Sequence, residues 1–265
     1  MPPSTPLQSA LRHWANTAHT WWRGWWQVLH FGAQILVLAL SPSSYRRAQH
    51  GVLTHSLYRA TRPLLPGFTV LSALIALVII RIVLTTSLSY GLSRYALDLL
   101  VRSLVLELIP LSAALFVAVR YSLAAGDEVR AMRAQGRFES MLAAGIDPTR
   151  DAVLPRVIAA VFAVVTLALV SSVVTVVLTY LSVYGFASWG LEGFTRALGQ
   201  VFNPVINLIF ILKTLLFSLA VAIVPMVTTP RDQAAGLATA DLTRLARLLA
   251  VLLLVEVTSL VGNYY

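Results

Sequence analysis

The chain of 265 residues is 58 % hydrophobic and only 12 % charged, with a mean hydropathy of +0.78, a composition that cannot supply the polar surface of a water-soluble domain. A formal charge of +9 points to nucleic acid in a soluble protein, but here the arginines sit between long apolar runs, where they act as topology signals. The chain has no cysteine, which excludes disulfides and thiolate metal or redox centres.

In chain order, Met1 to Gln8 reads as a frayed tail. Leu11, Trp14, Ala18, Trp21, Trp22 and Trp25 then share one helical face, with Arg12, His19 and Arg23 elsewhere, the pattern of an amphipathic helix at headgroup level. Trp14, Trp21, Trp22 and Trp25 are its expected interfacial anchors. The uncharged stretch from Gly24 to Tyr45 has arginines on both flanks and is expected to dip into the membrane or lie flat on it. Five longer apolar stretches follow, from Leu64 to Leu92, Leu104 to Ala125, Ala152 to Tyr184, Phe202 to Val227 and Leu248 to Tyr264. Each exceeds or approaches the ~20 residues that cross about 30 Å of hydrocarbon.

The Lys and Arg residues fix the orientation. Arg12, Arg23, Arg46, Arg47, Arg59, Arg62, Arg120, Arg130, Arg133, Arg137, Arg150, Arg156, Arg231, Arg244 and Arg247 fall on one side, and only Arg94, Arg102 and Arg196 on the other. The richer side is expected in the cytoplasm, leaving the C-terminus outside. The fold expected is an all-α integral membrane protein. Residues 1–63 are read as a cytoplasmic tail with interfacial helices, including an N-terminal elbow helix, and residues 64–265 as the transmembrane domain.

The connection from Gly126 to Arg150 is longer than a bundle needs and has a helical pattern. Val129, Met132, Phe138, Met141, Leu142 and Gly145 form an apolar stripe, with Arg130, Arg133, Arg137 and Glu139 largely off it. Gly145 is placed as a helix stop, and Asp147-Pro148 as an N-cap with proline in the first turn of the next span. A short cytoplasmic helix over about residues 127–145 is therefore expected. On residue chemistry alone it suits the membrane surface and a groove on a cytosolic partner equally.

The stretch from Leu106 to Ala159 resembles the signature region of the MlaE/YrbE family of ABC-transporter permeases. The positions that carry the likeness are Glu107, Pro110, Glu128, Met132, Gly145, Asp147, Pro148 and Pro155-Arg156, joined by Lys213 and Glu256 in later spans. Two segments depart from the pattern. Gly136-Arg137 stands where the family usually has a Glu-Gln pair, and residues 230–236 read Pro-Arg-Asp-Gln-Ala-Ala-Gly before the last span.

The resemblance implies a permease subunit of the bacterial inner membrane that moves phospholipid or a related lipid. It implies a dimer of permeases, homodimeric or heterodimeric, ABC ATPases bound through the coupling helix, a periplasmic MCE-domain protein and, in some members, a STAS-domain partner. Glu128, Met132, Arg133, Gly136, Arg137, Phe138, Glu139, Met141, Gly145, Asp147 and Pro148 are the expected coupling residues. The chain lacks a G-x-x-x-x-G-K-[ST] loop, so ATP and Mg are expected on a partner, with no enzyme activity, cofactor or metal on this chain.

Arg81, Glu107, Lys213 and Glu256 lie within apolar spans, where ionisable groups mark function or a packing partner. Their estimated depths predict two pairs, Arg81 with Glu107 and Lys213 with Glu256, which either fix packing or line an amphipathic lipid cavity. The five histidines, at 13, 19, 30, 50 and 55, precede the first span without metal-ligand grouping. The alternative from another class is a proton-coupled secondary transporter of a small anion using the same Glu, Arg and Lys residues. No inverted repeat supports it.

Overall fold

The computed structural model describes residues 24–41, 47–91, 93–227 and 237–264. Trp14, Trp21, Trp22 and the divergent segment 230–236 lie outside the described residues. The described chain is helical without a strand, and five helices are long and apolar enough to cross a membrane: Leu53–Ser89, Tyr95–Ala134, Thr149–Tyr184, Pro204–Met226 and Asp241–Gly262. The all-α membrane fold is therefore the observed one.

Helix α1 (Gly24–Leu40) precedes the spans. Helix α2 (Arg47–Thr61) leads into α3 (Leu64–Ser89), and α4 (Ser93–Leu100), α5 (Ile109–Val117) and α6 (Leu123–Ala134) build the second span. A short α7 (Arg137–Ala143), a long α8 (Leu154–Tyr184), α9 (Leu191–Val201), α10 (Pro204–Ile223) and α11 (Leu237–Tyr264) complete the chain.

Helix α8 is the hub, packed by α2, α3, α5 and α10, while α11 lies against α10. Its buried face carries Ala159, Ala160, Ala163, Ala168, Ser171, Ser172 and Thr175. Small side chains let helix backbones approach closely, which is the main source of packing energy where lipid removes the hydrophobic drive.

Prolines account for three of the local departures from α geometry, while the π-helical stretch Ala118–Ser122 has no proline beside it. A proline in a span has no N–H to donate and crowds the preceding turn. A π-helical stretch, Val101–Leu108, precedes Pro110; another, Thr149–Val153, precedes Pro155; and Pro225 sits in the 3₁₀ turn Val224–Met226. The helix onset expected at Asp147-Pro148 is present, with the Asp147 carboxylate accepting the Thr149 N–H at 2.9 Å.

Four bounds differ from expectation by more than a few residues. The first span starts at Leu53 rather than Leu64. The second span runs from Tyr95 to Ala134 rather than Leu104 to Ala125, because Asp98 and Arg102 pair at 3.0 Å one turn apart on the helix surface, which lowers the cost of charge there. At its other end the span continues through residues 127–134, so the separate helix expected over 127–145 shrinks to α7. Gly136, with φ of +69°, makes the break, since only glycine takes that left-handed turn without strain. The last helix starts at Leu237 rather than Leu248: it runs on past Arg247, the charge that bounded the expected span, and Arg244, one turn earlier, is neutralised by carboxylates.

Helix α1 lies across the arginine-rich end of the bundle. One stretch of it borders a cavity with Arg133 and Val227, and a later stretch borders another with Asp147 and Thr149. All four residues belong to that same end, and Ile35 is buried there among Val129, Val153, Leu154 and Met226. A helix touching one end of the bundle along its length does not cross it. Trp25 is half-buried and Trp26 is 64 % exposed.

The opposite end carries an aromatic cluster unanticipated from sequence. Tyr180, Tyr184, Trp189 and Phe194 meet edge to face or tilted with centroids 5.2 to 6.2 Å apart, gathering α8 and α9 at interfacial depth.

Candidate functional site

The intramembrane charges gather at one point rather than in two pairs. Lys213 on α10 donates to Glu107, lies 2.8 Å from a Glu256 oxygen on α11, and donates to the Leu106 carbonyl at 3.3 Å. Its side chain is 2 % exposed and those of both glutamates 13 %. Three spans thus meet on one ammonium. Its Nζ is also 5.6 Å from the Phe217 ring centroid, within cation–π reach.

The expected Lys213–Glu256 pair is present, but the Arg81–Glu107 pair is not. Arg81 is exposed on α3 and forms no ion pair among the described residues. The error was one of depth. With the second span starting at Tyr95, Glu107 lies about 18 Å along it at 1.5 Å per residue, not about 5 Å, and so meets Lys213, about 14 Å into α10. Glu107 also belongs to the π-helical stretch before Pro110, a widening that re-aims side chains and recurs at functional sites.

At the arginine-rich end, sequence reasoning missed a second cluster. Arg130 on α6 bonds Asp127 on its own helix and lies 3.2 Å from Asp241 on α11. Arg244 on α11 reaches back to Asp127 at 2.8 Å and lies 3.7 Å from Asp241. The side chain of Arg244 is 1 % exposed. Each helix supplies one Asp-x-x-Arg unit, 127–130 and 241–244, and each arginine spans both. That repeated spacing was the signal available in sequence.

Gly126 permits the approach of the same two regions. A Cβ at this position would overlap the Pro225 carbonyl oxygen, so the backbone of α6 and the 3₁₀ turn after α10 touch only because no side chain intervenes. Below this junction α7 projects. None of its residues is fully buried, and Leu142 is 62 % exposed.

The expected coupling residues divide between holding α7 and displaying it. Glu128 pairs with Arg156 at 3.2 Å, tying α6 to the start of α8. Phe138 packs on the buried cluster around Val129, and the Arg133 guanidinium lies 5.0 Å from its ring centroid. Met132 and Met141 are half-buried, Pro148 is buried, and Arg137, Glu139 and Asp147 are exposed. Gly136 and Gly145, with φ of +69° and +73°, bracket the helix. The stripe expected along one face is therefore split, with Val129 and Phe138 turned to the bundle and Leu142 to its surroundings.

Among the described residues no group of His, Asp and Glu could hold a metal ion. No curated protein matches the chain. A family description, "Permease MlaE", matches residues 53–261, a stretch that holds all five spans, the Lys213 cluster, the two Asp-x-x-Arg units and α7. The chain belongs to the MlaE permease family, and is a multi-pass ABC-transporter permease.

Proposed function

We propose that this chain is the membrane subunit of a transporter that moves phospholipid or a related lipid between the bacterial inner membrane and a periplasmic MCE-domain partner, driven by ATP hydrolysis on a separate subunit. The observation that carries the reading is α7, an unburied helix between two left-handed glycines, set on a span extension braced by four charges. A helix displayed on a rigid mount suits a groove on an ATPase and transmits its movement to the spans. Leu142 and Ile146, 62 % and 41 % exposed, are its apolar contacts.

In this reading the arginine-rich end is cytoplasmic and the C-terminus periplasmic. Helix α1 lies in the cytoplasmic headgroup layer as the elbow, and Trp25 is one of its anchors. The first and last spans bury only 22 % and 17 % of their apolar windows, against 50 to 56 % in the other three. Their uncovered faces fit a second permease copy, an MCE-domain anchor and lipid, with a homodimer the simplest arrangement. The Lys213 cluster is a pivot joining three spans, since its ammonium is too enclosed to meet cargo. Arg81 is the polar group available to lipid on α3. ATP and Mg belong to the ATPase, and a STAS-domain protein fits as a further subunit.

Mild-detergent purification of the tagged chain from its native membrane, with mass spectrometry of co-purifying proteins and lipids, tests this. An ABC ATPase, an MCE-domain protein and phospholipid are expected. Recovery of the chain alone, under conditions that keep other membrane complexes intact, overturns the reading in favour of a proton-coupled anion transporter.

A further inference from the structure

A groove of about 470 Å³ runs between α3 and the second span, within the range of roughly 300–1,000 Å³ typical of ligand sites. Phe68, Ile75, Leu104, Leu108 and Phe116 make it apolar, and the small Ser72, Ala76 and Ser112 leave space within it. Along the second span its lining extends from Leu104 to Arg120, about 24 Å of helix. That exceeds the ~15 Å of hydrocarbon in one leaflet, half of the ~30 Å core. The groove is therefore long enough for an acyl chain.

Arg120 belongs to this groove and also to a polar cavity of about 340 Å³ at the arginine-rich end, lined by His55, Arg59, Tyr121, Glu128, Asp151 and Arg156 among others. Three arginines there face two carboxylates. Arg156 is held by Glu128 at 3.2 Å. Arg59 and Arg120 are exposed and have no ion-pair partner among the described residues, unlike Arg102, Arg130, Arg156 and Arg244. Two unneutralised guanidiniums at the polar mouth of an acyl-length groove match one class of molecule, because guanidinium forks suit phosphate oxygens.

We propose that Arg120 and Arg59 hold the phosphate of a membrane phospholipid whose acyl chain lies in the groove between α3 and the second span. The site is separate from the Lys213 cluster. It goes beyond the transport reading and does not rest on it, since binding is expected with or without an ATPase.

Native mass spectrometry of the full-length chain in mild detergent tests the site, with dioleoyl phosphatidylglycerol, dioleoylglycerol and glycerol 3-phosphate as separate probes. Saturable retention of one phosphatidylglycerol per chain is expected, with dioleoylglycerol at least about tenfold weaker, the loss that follows from removing one or two charge-assisted hydrogen bonds. Glycerol 3-phosphate, lacking chains, is expected not to be retained. The Arg59→Gln/Arg120→Gln double variant is expected to lose about tenfold, Arg120→Lys less, and Ser112→Phe, which fills the groove, to lose binding while both arginines remain. Both arginines are exposed and without an ion-pair partner among the described residues, so the charge variants are expected to keep the wild-type unfolding midpoint. Equal retention of dioleoylglycerol, wild-type binding by the double variant, or retention of glycerol 3-phosphate unaffected by Ser112→Phe would each overturn the proposal.

Discussion

The two charge clusters solve different problems. At Lys213, one cation serves two carboxylates near mid-depth and all three side chains are at most 13 % exposed. At the arginine-rich end, two arginines face two aspartates that are 45 % and 48 % exposed. The first cluster has no water to fall back on, so each partner is obligatory once the others are present. The second is balanced and half solvated, and it bridges the helix carrying α7 to the last span. The comparison teaches that burial sets how firmly charges join helices: the enclosed Lys213 cluster is the firmer joint, and the half-solvated clamp is the brace that holds the mount of α7.

The largest effect is expected from Lys213→Met, which leaves two carboxylates facing each other inside the membrane. Removing one partner of a buried ion cluster costs about 3–5 kcal/mol, a large fraction of the ~5–15 kcal/mol stability of a typical domain. The protein is expected to lose its monodisperse elution in detergent. Adding Glu107→Gln and Glu256→Gln removes the uncompensated charge, and the triple variant is expected to recover it. Failure of that rescue would show that the ammonium does more than neutralise the pair.

A smaller loss is expected from Asp127→Ala, which strips the nearest carboxylate from the buried Arg244 guanidinium. The aspartate is half exposed, so solvent screening reduces the effect to about 1–3 kcal/mol, read as a lower thermal unfolding midpoint. Arg244→Met, which removes the buried charge itself, is expected to be milder than Asp127→Ala. The reverse order would place the clamp outside the account given for it.

Gly136→Ala sharpens the comparison where the clamp meets α7. The left-handed turn costs a side-chain-bearing residue roughly 1–2 kcal/mol, too little to unfold the bundle and enough to tilt α7. A folded protein with a slightly lower unfolding midpoint and reduced retention of the ATPase in a pull-down is expected. Smallest of all is Arg81→Ala. Its side chain is exposed and unpaired among the described residues, so thermal stability is expected to stay within about 0.5 kcal/mol. A larger drop would reveal an unseen partner for this arginine.

Much of the fold was legible because long apolar runs and arginine-rich connections dominate this sequence. The five spans, the Asp147-Pro148 onset and the Lys213–Glu256 pair follow from those signals. Span ends were less legible, since a charge in a helix end, such as Arg102, which halted the count, or Arg244, which lies beyond the halt at Arg247, is tolerated when an aspartate one turn away or across the bundle neutralises it. That error moved Glu107 toward the surface and paired it with Arg81. The clamp was invisible because Asp127 and Asp241 lie far apart in sequence, although the shared Asp-x-x-Arg spacing was open to view. Gly126 gave no warning, because its role comes from the Pro225 carbonyl on another element.

The most direct test of the central claim is ATP-dependent lipid transfer in proteoliposomes holding the chain with its ATPase and MCE-domain partner, comparing wild type with Leu142→Asp. Leu142 is exposed on α7, so the charge is expected to spare folding and lipid binding while abolishing transfer and ATPase recruitment together. Undiminished, ATP-dependent transfer by Leu142→Asp would contradict the account of α7 as the element that couples nucleotide hydrolysis to the spans.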